Sequence, residues 1–161
     1  TSFAVHTRFS GRAAKAIRLR AKGPAPLAYE RADLSGKRIL LVDDDALVLA
    51  STRMLLEVDG HMVVDAATGA QALEVFAGAE FDLVITDFRM PGMNGGQLTC
   101  RIKQAAPGKP VIILTAWPEE VPASVPADMI MSKPYALSEL RQAMAHVLGS
   151  AAAFRGRDAA A

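Results

Sequence analysis

Five polar residues follow or end apolar stretches of the chain. Asp43 and Asp44 come after "RILLV" (38–42), Asp87 ends "FDLVITD" (81–87), Thr115 lies near the end of "KPVIILTA" (109–116), and Lys133 comes directly after "DMIMS" (128–132). Taken singly, each has a structural explanation. An acid after a strand often caps the next helix, and Asp45 is expected to do so; Asp87 could open a loop by accepting nearby N–H groups. Thr115 could be an ordinary β-branched strand residue and Lys133 an exposed loop lysine. Taken together they form a chemical kit. Three carboxylates brought within ~4 Å of each other repel by on the order of 4 kcal/mol per pair at an effective dielectric near 20, so a cation must offset them. Oxygen ligands that leave room for waters and a phosphoryl oxygen suit Mg²⁺, and the lack of clustered His or Cys disfavours zinc. Lys133 adds a point charge able to pair with phosphate. Such a set fits phosphoryl transfer, with Asp87 standing alone as the nucleophile and the adjacent Asp43 and Asp44 as metal holders.

The elements that must position these residues are legible in the hydropathy pattern. After a connector at 22–37, short apolar runs at 38–42, 61–67, 81–87, 109–116 and 128–132 alternate with amphipathic stretches. In 45–60, Leu47, Val48, Ser51, Met54, Leu55 and Val58 recur at helical spacing and Gly60 supplies the stop. Further helices are predicted over 68–79, opened by Thr68, over 95–108, ended by Pro107-Gly108, and over 136–149, capped by Ser138 or the turn before it. Met90 and Met93 are expected to be packing residues. Continuously apolar strands separated by helices predict an α/β fold with a parallel sheet covered on both faces. Right-handed crossovers and five strands point to the flavodoxin-like, doubly wound order 2-1-3-4-5. In that sheet the carboxyl ends of the strands share one rim, which would gather residues scattered over 90 positions.

Composition bounds the rest. With 161 residues, 51% of them hydrophobic, one good core is expected, with tails. The net charge of +1 hides an asymmetry: residues 1–22 carry six basic residues and no acid, which leaves 12 basic against 17 acidic residues in the remainder. An acidic body argues against direct DNA binding, and the basic arm reads as a solvated linker. The single cysteine, Cys100, is expected to be a small buried thiol, and excludes an intrachain disulfide. No run reaches the ~18 apolar residues of a membrane span and no signal segment is evident, so a cytoplasmic setting is expected. A start at Thr1 suggests a trimmed product or a piece of something longer. The expected layout is a basic arm and linker at 1–36, a folded domain at 37–149 and a disordered tail at 150–161.

The segments "ILLVDDD" (39–45), "DLVITDFRMPGMNG" (82–95), "VIILTA" (111–116) and "SKP" (132–134), in this order, resemble the receiver domain of two-component response regulators over about residues 37–149. The resemblance implies that Asp87 accepts a phosphoryl group from the phosphohistidine of a histidine kinase or histidine phosphotransfer domain. It further implies that Asp44 binds Mg²⁺ directly, Asp43 mostly through water, and the Arg89 carbonyl completes the protein ligands. Thr115 would turn its hydroxyl to the phosphoryl group, with the Ala116 N–H nearby. Lys133 would pair with the phosphate, and Lys133–Pro134 is expected to be cis. Such a domain promotes its own phosphorylation and dephosphorylation without being an enzyme on other substrates.

The chain departs from that family at its usual output face. Only 18 positions separate Thr115 from Lys133, and Pro118, Pro122 and Pro126 occupy the place of the fourth helix. Proline at that spacing breaks a regular helix, which predicts a turn or an irregular loop. The position three before the lysine, usually aromatic, is Ile130. Trp117 or Tyr135 could substitute for the missing ring, or could simply cover the short loop and pack as a turn residue. Weakened in this way, the face predicts a monomer or a weakly associating domain. Shortened receivers with "LTAW" resemble those at the C-terminus of hybrid sensor kinases, and "TSFAVHTRF" resembles the last strand of a kinase ATP-binding domain. Two other readings compete: a protein-binding module that does not depend on phosphorylation, and an Asp-nucleophile phosphatase. The phosphatases usually place a second acid two residues after the nucleophile, where this chain has Arg89.

Overall fold

A computed structural model describes residues 36–158, with side chains to residue 151. The basic arm and the kinase-like stretch expected at the N-terminus lie outside the described residues.

Five short strands form one parallel sheet: β1 (Arg38–Val42), β2 (Met62–Ala66), β3 (Leu83–Asp87), β4 (Val111–Thr115) and β5 (Met129–Ser132), in the order β2-β1-β3-β4-β5. The helices are α1 (Ala46–Val58), α2 (Gly69–Gly78), α3 (Gly95–Ala105) and α4 (Leu137–Asp158). This is the doubly wound topology predicted from the alternation. Alternate side chains of each strand enter opposite cores, as the two-residue period requires. Ile39, Leu41, Leu83, Ile85, Ile112 and Leu114 pack with Leu49 and Leu56 of α1 and with Leu140 and Met144 of α4. Leu40, Val42, Val84 and Val111 pack on the other face with Ala72 of α2 and with Leu98 and Ile102 of α3. Met90 is buried in this second core and Met93 packs against it.

Local signals set the helix ends. Asp45 caps α1 by accepting from the Leu47 and Val48 N–H groups, and Gly60 takes a φ of +82° just past the end of α1. Thr68 caps α2 through the Gln71 N–H. Asn94 and Gln97 form a reciprocal capping box on α3. Ser138 does not cap α4: it lies inside the helix, and the Glu139 carboxylate accepts from the Ala136 N–H at 2.8 Å. Nor does α4 stop at Gly149. The tail expected to be disordered from residue 150 is helical to Asp158, because Ala151–Ala153 are strong helix formers and one interior glycine costs only ~1 kcal/mol.

Between β4 and β5 the chain makes a single 3₁₀ turn, Pro118–Glu120, where a fourth helix of the usual kind was predicted to fail. Val121, Val125 and Ala127 are buried there against Ile113 and Ile130, with Phe88 packed beside them. An irregular loop thus covers the sheet with the same kind of apolar surface that a helix would have supplied. Trp117 remains 45% exposed, and Tyr135 packs against the first core with its hydroxyl 3.2 Å from the Thr52 hydroxyl.

Candidate functional site

The chain winds one way from β1 to β2 and the other way from β3 onward, which opens a crevice at the carboxyl ends of β1 and β3. Asp43 leaves β1 into this crevice, Asp87 ends β3, Thr115 ends β4, and Lys133 follows β5. The register holds them level: Asp87 pairs with Leu114, Thr115 with Ser132, and the Lys133 N–H donates to the Thr115 carbonyl at 2.7 Å.

At the centre of the rim, Lys133 Nζ donates to Asp87 Oδ1 at 2.6 Å and to Asp43 Oδ2 at 2.8 Å. Asp43 is almost fully buried, and its Oδ1 accepts the Asp45 N–H at 2.9 Å. Asp87 is 9% exposed, and burial pushes its carboxyl above the ordinary carboxylate range, with Asp43 adding to the rise. Lys133 and the Arg89 N–H oppose that rise without cancelling it. For Lys133 the balance runs the other way. Burial pulls its ammonium down, but hydrogen bonds and charges from two carboxylates outweigh burial, and the side chain holds its proton more firmly than a free lysine. One ammonium shared by two acids gains twice, whereas Asp87 has only half of its counter-charge.

Asp44 stands exposed beside this cluster, and so does Ala116 at the mouth of β4. Thr115 is buried, and its hydroxyl accepts the Trp117 N–H at 3.1 Å. The Lys133–Pro134 peptide is cis. Among the described residues no group of three or more His, Cys, Asp and Glu side chains is arranged to hold a metal ion by itself. The donor set nevertheless fits a hard, strongly hydrated cation. Asp43, Asp44 and Asp87 carry three negative charges against one on Lys133, all donors are oxygens, and Mg²⁺ takes one or two carboxylates and keeps several waters.

Two features escaped sequence reasoning. A Cβ added at Gly95 would lie 2.0 Å from the Asp87 carbonyl oxygen, so α3 begins directly against the backbone of the candidate nucleophile. The "NGG" before a helical pattern was a visible trace of that approach. The second is the side chain of Arg89, which stacks on Trp117 and pairs with Glu120. Spacing along the chain gives no hint of a pair 31 positions apart. Cys100 is half-buried rather than buried, because it lines a shallow hollow of about 510 Å³ between α3 and the 122–125 loop. None of the rim acids lines this hollow.

Residues 39–145 match the family described as the response regulator receiver domain. The chain is 47% identical over 78 residues to the transcriptional regulatory protein GlrR of Escherichia coli, which covers 48% of this chain and 18% of that protein. It is 35% identical over 124 residues to the sensor histidine kinase AruS of Pseudomonas aeruginosa, covering 72% of this chain and 12% of that protein. The chain therefore spans only a small part of these relatives. Its fold is similar to that of the response regulator protein TrrA of Thermotoga maritima, solved in complex with Mg²⁺-BeF, with a TM-score of 0.64 and 30% identity over 69% of this chain and 98% of that one.

Proposed function

The chain belongs to the response regulator receiver domain family, and from that membership we propose that it is a phosphorelay switch whose acceptor is Asp87. One observation carries the assignment: a single lysine bridges Asp43 and Asp87 at the strand-end rim. An oxygen of Asp87 attacks the phosphorus of a phosphohistidine on a histidine kinase or phosphotransfer domain. The P–N bond breaks, its electron pair returns to the imidazole, and an aspartyl phosphate remains. Lys133, already between the two acids, moves its charge onto the phosphoryl oxygens. Thr115 releases the Trp117 N–H and donates its hydroxyl, and Ala116, the exposed residue that follows it, would offer its N–H to the phosphoryl group.

Mg²⁺ would be held by Asp44 and Asp87, by the Arg89 carbonyl and, through water, by Asp43, both of whose oxygens already accept hydrogen bonds. Once bound, it neutralises charge on the transferring group. Arg89 two residues after the nucleophile cannot serve as the acid–base group of an Asp-nucleophile phosphatase, which disfavours that reading. The likeness to AruS and the short 116–128 segment favour a receiver attached to a sensor kinase, in a cytoplasmic setting. Sequencing upstream of Thr1 tests that attachment: a kinase ATP-binding domain there would support it, and a start codon there would sink it.

Acetyl phosphate with Mg²⁺ tests the acceptor. Mass spectrometry should find one phosphoryl group on Asp87 and none in Asp87→Asn. Repeated turnover of a small phosphate ester would favour the phosphatase instead. Failure of both acetyl phosphate and fluoroberyllate to engage a folded protein would leave the binding module.

A further inference from the structure

The phosphoacceptor role of Asp87 leaves three neighbouring side chains without a task. The Arg89 guanidinium lies 4.0 Å from the centroid of the Trp117 ring. Its Nε donates to Glu120 Oε2 at 2.9 Å, and its second nitrogen donates to both oxygens of the same carboxylate. Trp117 is tied to the site a second time, through its N–H to the Thr115 hydroxyl. Trp117 is therefore joined through its exposed ring to the residue two past Asp87, and through its backbone to the hydroxyl at the end of β4.

These bonds are built to be exchanged. The Arg89 and Glu120 side chains are 52% and 39% exposed, and an exposed ion pair or cation–π contact is worth little against water. A phosphoryl group on Asp87 would set roughly two negative charges against the single charge of Glu120, and a guanidinium fork matches phosphate oxygens better than an ammonium does. Ile130, which is 4% exposed, offers neither a ring nor freedom to move.

We propose that Arg89 is a second phosphoryl-binding cation, parked on Glu120 and Trp117 until Asp87 is modified, and that its transfer unstacks Trp117 and frees the exposed Pro118–Glu120 turn, while Val121 and Val125 stay buried. The proposal rests on the phosphoacceptor reading of Asp87. It makes the short proline-bearing loop the part of the molecule that changes, through a transfer of charge that no helix has to mediate.

Trp117 is the chain's only tryptophan, so tryptophan emission reports the surroundings of this one ring. The full chain is titrated with fluoroberyllate and Mg²⁺, following Trp117 fluorescence and, independently, the bound fluorine resonances by NMR. The expected result is an emission change that tracks binding. Glu120→Gln should tighten fluoroberyllate binding and Arg89→Ala weaken it, each by about three- to fivefold, the upper part of the range of one partly exposed charge contact. In the Arg89→Ala background, Glu120→Gln should have no effect, because there is no guanidinium left to release. Binding without an emission change overturns the transfer but leaves the acceptor standing. So does an Arg89→Ala affinity within twofold of the parent, or a Glu120→Gln effect equally large in both backgrounds. If fluoroberyllate does not bind at all and acetyl phosphate leaves Asp87 unmodified, the acceptor reading fails and this proposal falls with it.

Discussion

Asp87 is held in a state that folding alone would not choose. Its carboxyl is buried near Asp43, and its pKa in the folded chain lies above the ordinary 3.8. The folded state therefore keeps a proton that the unfolded chain gives up, and stability falls as pH rises from 3.8 through the raised value. At neutral pH the whole penalty is present. Asp87→Asn removes it and should raise the stability measured by urea unfolding at pH 7, on the order of 1 kcal/mol. The gain should vanish below pH 3.8, where both side chains are neutral. A destabilised Asp87→Asn at pH 7 would show that the Lys133 pairing outweighs burial. This buried charge could not be read from "VITDFRMPG", which gives the acid's place on a strand end but not the dielectric around it.

At the scale of elements, the sequence was most legible where one local signal decides the outcome. Asp45, Thr68 and Gly60 open or close helices by bonding or by conformation, and each does so as its residue type predicts. Pro118, Pro122 and Pro126 ruled out a regular helix before β5, and the single 3₁₀ turn bears this out. The far end of α4 was misread because Gly149 resembles a stop signal, while the alanines beyond it tip the balance toward helix. Side-chain and backbone contacts between elements left at most a faint trace in the sequence. Gly95 is the sharpest case, for its neighbour is the Asp87 backbone rather than a side chain that could shift. Gly95→Ala should cost at least about 2–3 kcal/mol, because α3 would have to retreat from β3. Thermal unfolding would measure that loss, and acetyl phosphate labelling of the fraction still folded should also fall. An unchanged melting temperature would mean that the start of α3 is free to move.

For the whole molecule, two apolar cores on one sheet make the fold a single cooperative unit, and one buried base ties its stability to acid. His61, joining α1 to β2, is 8% exposed, and among the described residues its Nδ1 has no hydrogen-bond partner. Burial lowers its pKa below 6.5, so the unfolded chain takes up the proton first, and stability should fall as pH drops from 6.5 through the depressed value. His61→Leu should flatten that limb of the urea-stability profile, while an unaltered profile would assign the acid loss to other groups.

The bridging lysine also has a consequence in time. Lys133 lies 46 positions after Asp87 and 90 after Asp43. A ribosome delivers the chain in that order, so the acid emerges well before its counter-ion, and β4 and β5 must join the sheet before the two can meet. On the proposed reading of Asp87, a nascent or truncated chain exposes the acid without the ammonium that would stabilise a transferring phosphoryl group. On that reading the complete charge set arrives only with the last strand, and half-made copies would be poor competitors for a phosphoryl donor.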